Sequence, residues 1–351
     1  MKILVRGTNW IGDAVMSIGA LRELRRLFPE AHIALHTRPW AEGIFRDARF
    51  LDELITFDDG DSDFRSMFRQ AKMLRSRGFD LAVILPNSYR SAAIVKLARI
   101  PRRFGYSREG RRFLMTDPIG VPEWKDSRHE VFYYLEIVRE VEWRMLGTQT
   151  VDDSKAAVKL EVSDARVAAA RDILNYHGID GQRPLIAIGP GSANSRAKRW
   201  PSANFGRFID HVGRELGSDI VLLGSKSEEI VGAAVSAAAR TAPVSLIGKT
   251  DLADVTAILS LADAFVANDM GLAHIAAAVG TRTIVIFGPT NHETTRPFSP
   301  ESVVVREPVE CSPCMLRDCP IDHRCMTRIA PERVFTALCD LLGRAEAADV
   351  D

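Results

Sequence analysis

Three segments of the chain combine small residues with groups that can take a proton or hold an anion. In Gly7-Thr8-Asn9-Trp10-Ile11-Gly12-Asp13 a carboxylate closes a short polar turn that follows an apolar run. Such an aspartate can be a helix N-cap or a general base acting on a hydroxyl. The second segment is Gly189-Pro190-Gly191-Ser192-Ala193-Asn194-Ser195-Arg196-Ala197-Lys198-Arg199-Trp200-Pro201. Its small residues let backbone approach an anion closely, and Lys198 with its arginine neighbours supplies charge, which together suit a phosphate. The third is Val266-Ala267-Asn268-Asp269-Met270-Gly271-Leu272-Ala273-His274. There a strand gives way to an Ala-rich helix whose bare first amides form an anion site. Asp269 can equally be a cap, and His274 a satisfied core histidine. The turn Gly288-Pro289-Thr290 adds a further loop at the same sheet edge.

Other patterns carry less. Cys311, Cys314, Cys319 and Cys325, with His323, form a cluster whose count suits a structural zinc ion, and whose softness would admit iron–sulfur. Their spacing matches neither usual pattern, so a plain Cys-rich loop is the alternative. The pair Cys311-Ser312-Pro313-Cys314 has redox spacing but lies outside a βαβ start. Gly248-Lys249-Thr250 resembles the end of a P-loop, but Pro243 stands where its first glycine belongs. Asp61-Ser62-Asp63 has the form of a metal-binding Asp-x-Asp, but it sits among other acids.

Positioning these groups requires strands and helices in alternation. Strands are expected at Lys2–Arg6, His32–Thr37, Glu53–Phe57 and Asp80–Leu85, with helices at Asp13–Phe28, Ser62–Arg77 and His129–Val141. In the second half strands are expected at Pro184–Gly189, Asp219–Gly224, Val244–Ile247, Ala264–Ala267 and Arg282–Phe287. Helices are expected between them at Ala203–Leu216, Ser227–Ala239, Leu252–Leu261 and Gly271–Val279, with one more at the end. Apolar strands without polar alternation suit parallel sheets covered on both faces. The expectation is α/β: two Rossmann-like domains, 1–155 and 156–351, facing across a cleft, with a polar linker within Arg144–Val158.

Composition narrows the function. The chain has 351 residues, 46% hydrophobic, and its 46 Lys plus Arg equal its 46 Asp plus Glu. A dedicated nucleic-acid binder usually carries a basic excess, so no nucleic-acid partner is expected. The charge is unevenly spread: seven acids lie between Asp47 and Asp63, and seven bases between Lys96 and Arg112. The basic stretch reads as a solvated loop or as a dock for an anionic ligand or acidic lipid surface. No apolar run approaches the length of a membrane span, and the apolar start is too short for a signal peptide. Five cysteines do not read as a secreted disulfide framework, so a cytoplasmic location is expected.

Taken together, Trp10-Ile11-Gly12-Asp13, Leu85-Pro86-Asn87-Ser88, Ala197-Lys198-Arg199-Trp200-Pro201, Asn268-Asp269-Met270-Gly271-Leu272-Ala273-His274 and Phe287-Gly288-Pro289-Thr290 resemble the bacterial heptosyltransferase family, most closely the second heptosyltransferase. The resemblance implies the GT-B fold, with the acceptor in the N-terminal domain and ADP-heptose in the C-terminal one. It implies that Asp13 is the catalytic base, and that the donor is held by Lys198, Asn194, Glu228, Asp269, Gly271 and His274. The ribose-contacting acid falls on Glu228 or its neighbour Glu229. Trp10, Asn87, Ser88, Arg103 and Arg112 are the acceptor-binding candidates. The implied acceptor is heptosyl-Kdo2-lipid A, met as a monomer at the cytoplasmic face of the inner membrane. Fixed positive groups would make a catalytic metal or other cofactor unnecessary. A first-heptosyltransferase reaction on Kdo2-lipid A, a sugar-nucleotide epimerase of the same fold and a nucleotide-sugar sensor without turnover are the alternatives.

Overall fold

The computed structural model describes residues 1–57 and 64–343. The chain divides into two compact units, Met1–Val158 and Lys159–Asp351. In the first unit the strands are β1 (Lys2–Arg6), β2 (His32–Thr37), β3 (Glu53–Thr56), β4 (Leu81–Ile84), β5 (Arg102–Tyr106) and β6 (Asp117–Ile119). They form one parallel sheet in the order β3-β2-β1-β4-β5-β6. Ile3, Leu4 and Val5 of β1 are fully buried, which is why this strand is apolar on both faces.

The second unit repeats the arrangement. Its strands are β7 (Leu185–Gly189), β8 (Asp219–Leu222), β9 (Val244–Ser245), β10 (Ala264–Asn268), β11 (Arg282–Phe287) and β12 (Ser302–Arg306). They are parallel throughout, in the order β12-β11-β10-β7-β8-β9. In each sheet the chain reverses direction of growth beside its first strand, between β1 and β4 and between β7 and β10. Loops leaving the carboxyl ends of those strands diverge there and leave a crevice, the usual ligand position in open α/β sheets.

Three strands lie outside the sequence expectation: β5, β6 and β12. The opening Arg102-Arg103 of β5 conceals it, because arginine is not read as strand interior. Arg102 solves this by a two-pronged pair with Asp117 of β6 at 2.8 and 2.7 Å. Arg103 turns its guanidinium onto the carbonyls of Leu114 (2.9 Å) and Ile100 (2.6 Å), while Phe104 and Tyr106 fill the core. The stretch from Lys96 to Arg112 is therefore no solvated loop: its middle is strand β5, and Arg111 is fully buried.

The expected single helix Asp13–Phe28 is two, Ile11–Met16 and Ile18–Leu27, broken at Ser17, whose hydroxyl donates to the Ala14 carbonyl at 2.7 Å. The helix expected to end near Val141 runs Glu130–Leu146, into the segment read as linker. Asp58, Asp59, Asp61 and Asp63 lie outside the described residues. In the second unit Trp200 is almost fully buried edge-on to Phe205, with its indole N–H on the Ile329 carbonyl at 3.0 Å. That anchor explains why the small-residue loop ends in Lys-Arg-Trp-Pro: the tryptophan locks the loop's exit into the core.

Candidate active site

At the crevice of the first sheet, the loop after β1 runs into the helix Ile11–Met16. The N-cap of that helix is Trp10, so Asp13 lies inside the first turn and is not the cap. Its charge is felt by the buried Tyr134, on the helix Glu130–Leu146 that packs against this one. Burial and the neighbouring Asp13 charge push the Tyr134 phenol well up, so it stays a donor. Trp10 itself is 56% exposed at the rim.

The loop after β4 is Leu85-Pro86-Asn87-Ser88. Ser88 caps the helix Tyr89–Leu97, accepting from the Ser91 amide at 3.2 Å. The Asn87 amide donates to the Tyr133 hydroxyl at 3.2 Å and its carbonyl accepts from Arg111 at 3.3 Å. Arg111 also donates to the carbonyls of Tyr106 (2.8 Å), Ser88 (3.1 Å) and Pro86. All these partners are neutral, and burial lowers the Arg111 pKa to about 10. A buried cation without a carboxylate partner carries a large desolvation cost, and here the carbonyl dipoles of Tyr106, Pro86 and Ser88 offset it. Arg112, the next residue, is exposed.

At the crevice of the second sheet, Lys198 Nζ meets Asp269 Oδ2 at 2.7 Å, and the same oxygen accepts from Thr290 Oγ1 at 2.7 Å. Asp269 is not the cap of the helix Gly271–Ala278; Met270 holds that position, without a side-chain bond. The Ala273 amide closes back on the Met270 carbonyl at 3.1 Å, which leaves the amides of Gly271 and Leu272 without an intrahelical acceptor. Asn268, fully buried, ties the whole arrangement together. Its carbonyl accepts from Trp200 N–H at 2.9 Å, and its amide donates to the Pro190 (2.8 Å) and Gly191 (3.2 Å) carbonyls. Arg199 closes the loop on itself through the Ser192 carbonyl at 2.9 Å. His274 is buried in the helix behind, and Asn194 is exposed at the loop's turn.

Between the two neighbouring acids the geometry discriminates. Glu229 is exposed, whereas Glu228 is 3% exposed and packs directly against Gly191. Its Oε2 accepts from the Ser225 amide and hydroxyl, both at 2.8 Å, while its buried Oε1 has no partner. A glycine at 191 is required because a Cβ there would fall 1.9 Å from that oxygen.

The cysteine segment packs on the same loops. His323 Nε2 lies 2.6 Å from the Ala197 carbonyl, Ala197 N–H donates to the Arg317 carbonyl at 2.9 Å, and Ser312 Oγ donates to Gly288 O at 2.6 Å. Cys311 and Cys314 are exposed, Cys319 is half-buried and Cys325 is buried. Burial, followed by the other three sulfurs, pushes the Cys325 thiol up to about 11, and His323 is already engaged. Among the described residues no group of three or more His, Cys, Asp or Glu is placed to hold a metal ion, so the structure lends the expected zinc no support.

Sequence reading missed Arg111, Tyr133, Tyr134 and Asn268. Arg111 was hidden among exposed arginines, and the tyrosines lie on a helix outside every motif. Asn268 was in a motif, but only its cross-chain bonds reveal its work.

Residues 67–324 match glycosyltransferase family 9 (heptosyltransferase). The chain belongs to that family. Lipooligosaccharide heptosyltransferase 2 of Haemophilus ducreyi is 30% identical over 322 residues, covering 87% of this chain and 88% of that protein. Lipopolysaccharide heptosyltransferase 2 of Escherichia coli is 28% identical over 354 residues, covering 99% and 100%. The solved structure of E. coli ADP-heptose LPS heptosyltransferase II matches with a TM-score of 0.83 at 28% identity, again over 99% and 100%. The family 9 chain is thus a glycosyltransferase of the GT-B fold, with two six-stranded parallel sheets. No helix among its described residues is long and apolar enough to cross a membrane.

Proposed function

We propose that this chain is an inverting heptosyltransferase that moves L-glycero-D-manno-heptose from ADP-heptose to heptosyl-Kdo2-lipid A. The observation that carries the reading is the Lys198–Asp269–Thr290 cradle at the crevice of the second sheet, beside the helix start at Gly271. A nucleoside diphosphate leaving group needs positive charge and amide donors; Lys198, oriented by Asp269, supplies the first and the helix start at Gly271 the second. The free buried Oε1 of Glu228 is an acceptor suited to a ribose hydroxyl, which favours Glu228 over Glu229 for that contact.

On the acceptor side Asp13 takes the proton from the acceptor hydroxyl as its oxygen attacks the anomeric carbon. The bond to ADP breaks in the same displacement, which inverts the anomeric centre. Lys198 and the Gly271 helix start stabilise the charge that builds on the diphosphate. The exposed rings of Tyr89 and Phe113 lie 6.0 Å apart, with Lys96 Nζ 5.2 Å from the Phe113 ring and the exposed Arg112 next to Phe113 in sequence. Aromatic and basic groups at one surface suit an acidic lipid acceptor at the cytoplasmic face of a membrane.

The test is mass spectrometry of lipid acceptors incubated with ADP-heptose and, separately, with other sugar nucleotides. The expected product is heptosyl-Kdo2-lipid A heavier by one heptose, with Kdo2-lipid A unchanged. Addition to Kdo2-lipid A alone would assign the first-heptosyltransferase reaction instead. Nucleotide release at equal rate without any acceptor would sink the transferase reading.

A further inference from the structure

Residues 312–323 lie between β12 and the short helix Arg324–Thr327, and they bridge two loops at the crevice of the second sheet. On one side they take both backbone polar groups of Ala197, the residue before Lys198. The Ala197 amide donates to the Arg317 carbonyl at 2.9 Å, and the Ala197 carbonyl accepts from His323 Nε2 at 2.6 Å. A carbonyl only accepts, so His323 carries its proton on Nε2. Ser195 Oγ adds a bond to the Arg317 carbonyl at 3.2 Å. On the other side they take the two carbonyls that precede Thr290. Ser312 Oγ donates to Gly288 O at 2.6 Å, and the Met315 amide donates to Pro289 O at 2.8 Å. The helix Arg324–Thr327 presses on the same turn: a Cβ at Gly288 would fall 2.4 Å from Met326 Sδ and 3.1 Å from Cys325 Sγ. Two of the bridging residues hold a left-handed backbone without being glycine, Met315 at φ 60° and His323 at φ 58°. Such a conformation is strained and persists only where its surroundings over-determine it. Here each strained residue is one that reaches a donor loop.

We propose that residues 312–323 are a strap that sets the spacing of the donor-phosphate cradle, with His323 the positioning residue for Lys198 and Ser312 the positioning residue for Thr290. This rests on the cradle being the site of the donor's diphosphate. Lys198 and Thr290 stand on separate loops, after β7 and after β11, and meet at Asp269 Oδ2, each at 2.7 Å. A lysine ammonium rides on a flexible four-carbon stem, so that meeting alone fixes neither loop. The strap fixes the backbones on which both side chains stand. Groups that stabilise charge on a diphosphate lose effect when misplaced by small distances. The exposed Arg196–Asp318 pair, at 2.6 Å, adds little to the hold, because both side chains face water. The Cys-rich segment thus acts on the donor site through backbone groups, Ser312 and His323.

The experiment uses the full chain as His323→Phe, His323→Gln, Ser312→Ala and Lys198→Ala variants, with calorimetric titration of ADP and of adenosine and a melting temperature for each. Phenylalanine keeps a ring and removes the N–H, whereas glutamine restores a donor. Both meet the left-handed backbone on equal terms, so the difference between them reports the bond. His323→Phe should weaken ADP binding about three- to tenfold, the range of one neutral hydrogen bond. Adenosine affinity should be unchanged, since adenosine lacks the diphosphate. His323→Gln should recover most of the loss. Ser312→Ala should weaken ADP by a smaller factor, again without touching adenosine, and it carries the same comparison if the His323 variants do not fold. His323→Phe added to Lys198→Ala should cost no further ADP affinity, because the two residues act as one unit. A merely structural strap would lower the melting temperature and weaken ADP and adenosine alike, or leave both alone, and either result overturns the proposal. So does a glutamine variant as weak as the phenylalanine one. If Lys198→Ala weakens ADP binding while His323→Phe and Ser312→Ala do not, the strap fails and the cradle stands. If Lys198→Ala binds ADP as the parent does, the cradle reading fails, and this one with it.

Discussion

Replacing Gly191 by alanine tests the donor crevice through a contact that the backbone itself imposes. The added Cβ would lie 1.9 Å from Glu228 Oε1, 2.3 Å from its Cδ and 2.9 Å from its Cγ. Non-bonded carbon contacts settle near ~3.5–4.0 Å, so something must move by more than an ångström. Glu228 cannot simply swing aside, because its other oxygen accepts two 2.8 Å bonds in the capping box at Ser225. Giving up that charged cap, or displacing the 190–191 carbonyls from Asn268, costs about 2–4 kcal/mol. For a unit of this size that is a melting temperature lower by roughly 4–16 °C. The ADP affinity should fall at least about tenfold, since both the loop and Glu228 shift; a tenfold loss corresponds to ~1.4 kcal/mol. Thermal unfolding and calorimetric ADP titration read the two effects separately. The double variant Gly191→Ala/Glu228→Ala removes the clash, so part of the melting temperature should return while ADP binding stays weak. A Gly191→Ala protein with the parent's melting temperature and ADP affinity would refute the contact and the reasoning built on it.

Three further outcomes are expected. Lys198→Ala should weaken ADP binding by roughly 10–150-fold, the range for one charged hydrogen bond of ~1.5–3 kcal/mol, and unchanged affinity by calorimetry removes Lys198 from the site. The two candidate acceptor arginines should behave differently. Arg103 is spent on backbone carbonyls, so Arg103→Ala should cost about 1–2 kcal/mol of stability. Arg112→Ala should instead raise the acceptor KM, and less so at high salt; identical KM values would return Arg112 to an ordinary surface charge. His36 is fully buried with neither ring nitrogen bonded, and burial followed by the Arg6 charge holds its pKa well below the model-peptide 6.5. Below pH ~6.5 the unfolded chain then binds a proton that the folded chain refuses, so stability should decline as pH falls, with no contribution from this group above that pH. Urea unfolding against pH should show a shallower decline for His36→Phe, and an unaltered slope would clear His36 of the effect.

The elements legible in the sequence were those whose signal is local. The β1, β2 and β11 ranges follow from apolar runs bounded by polar residues, and the helix Leu252–Leu261 from its amphipathic run after Asp251. Strands β5 and β6 were not legible, because β5 opens on Arg102-Arg103 and β6 on Asp117-Pro118, and only their pairing across the sheet accommodates those charges; β12 has an apolar run, and nothing in the structure explains its absence from the expected strands. The small-residue loop before Lys198 and the strand–helix junction at Gly271 were legible for the same reason as the apolar strands. Backbone approach and free helix amides are properties of a few adjacent residues.

What the sequence by itself determined is therefore the order of strands and helices and the chemical types held at the strand ends. Tertiary structure decided which member of each adjacent pair is buried among the site loops. Arg111 is buried under the Leu85–Ser88 loop while Arg112 is exposed, and Glu228 faces Gly191 while Glu229 faces solvent. Asp13 and Asp269, both plausible helix caps from their neighbours, are not caps: Trp10 and Met270 hold those positions, and Asp269 pairs with Lys198. The physical reason is that burial and hydrogen-bond satisfaction depend on partners brought together by the sheets. Asn268 reaches Trp200 across 68 residues and Arg111 reaches Pro86 across 25. Propensity and hydrophobic period act within a turn or two of the chain, so neither could specify those partners before the parallel strands aligned them.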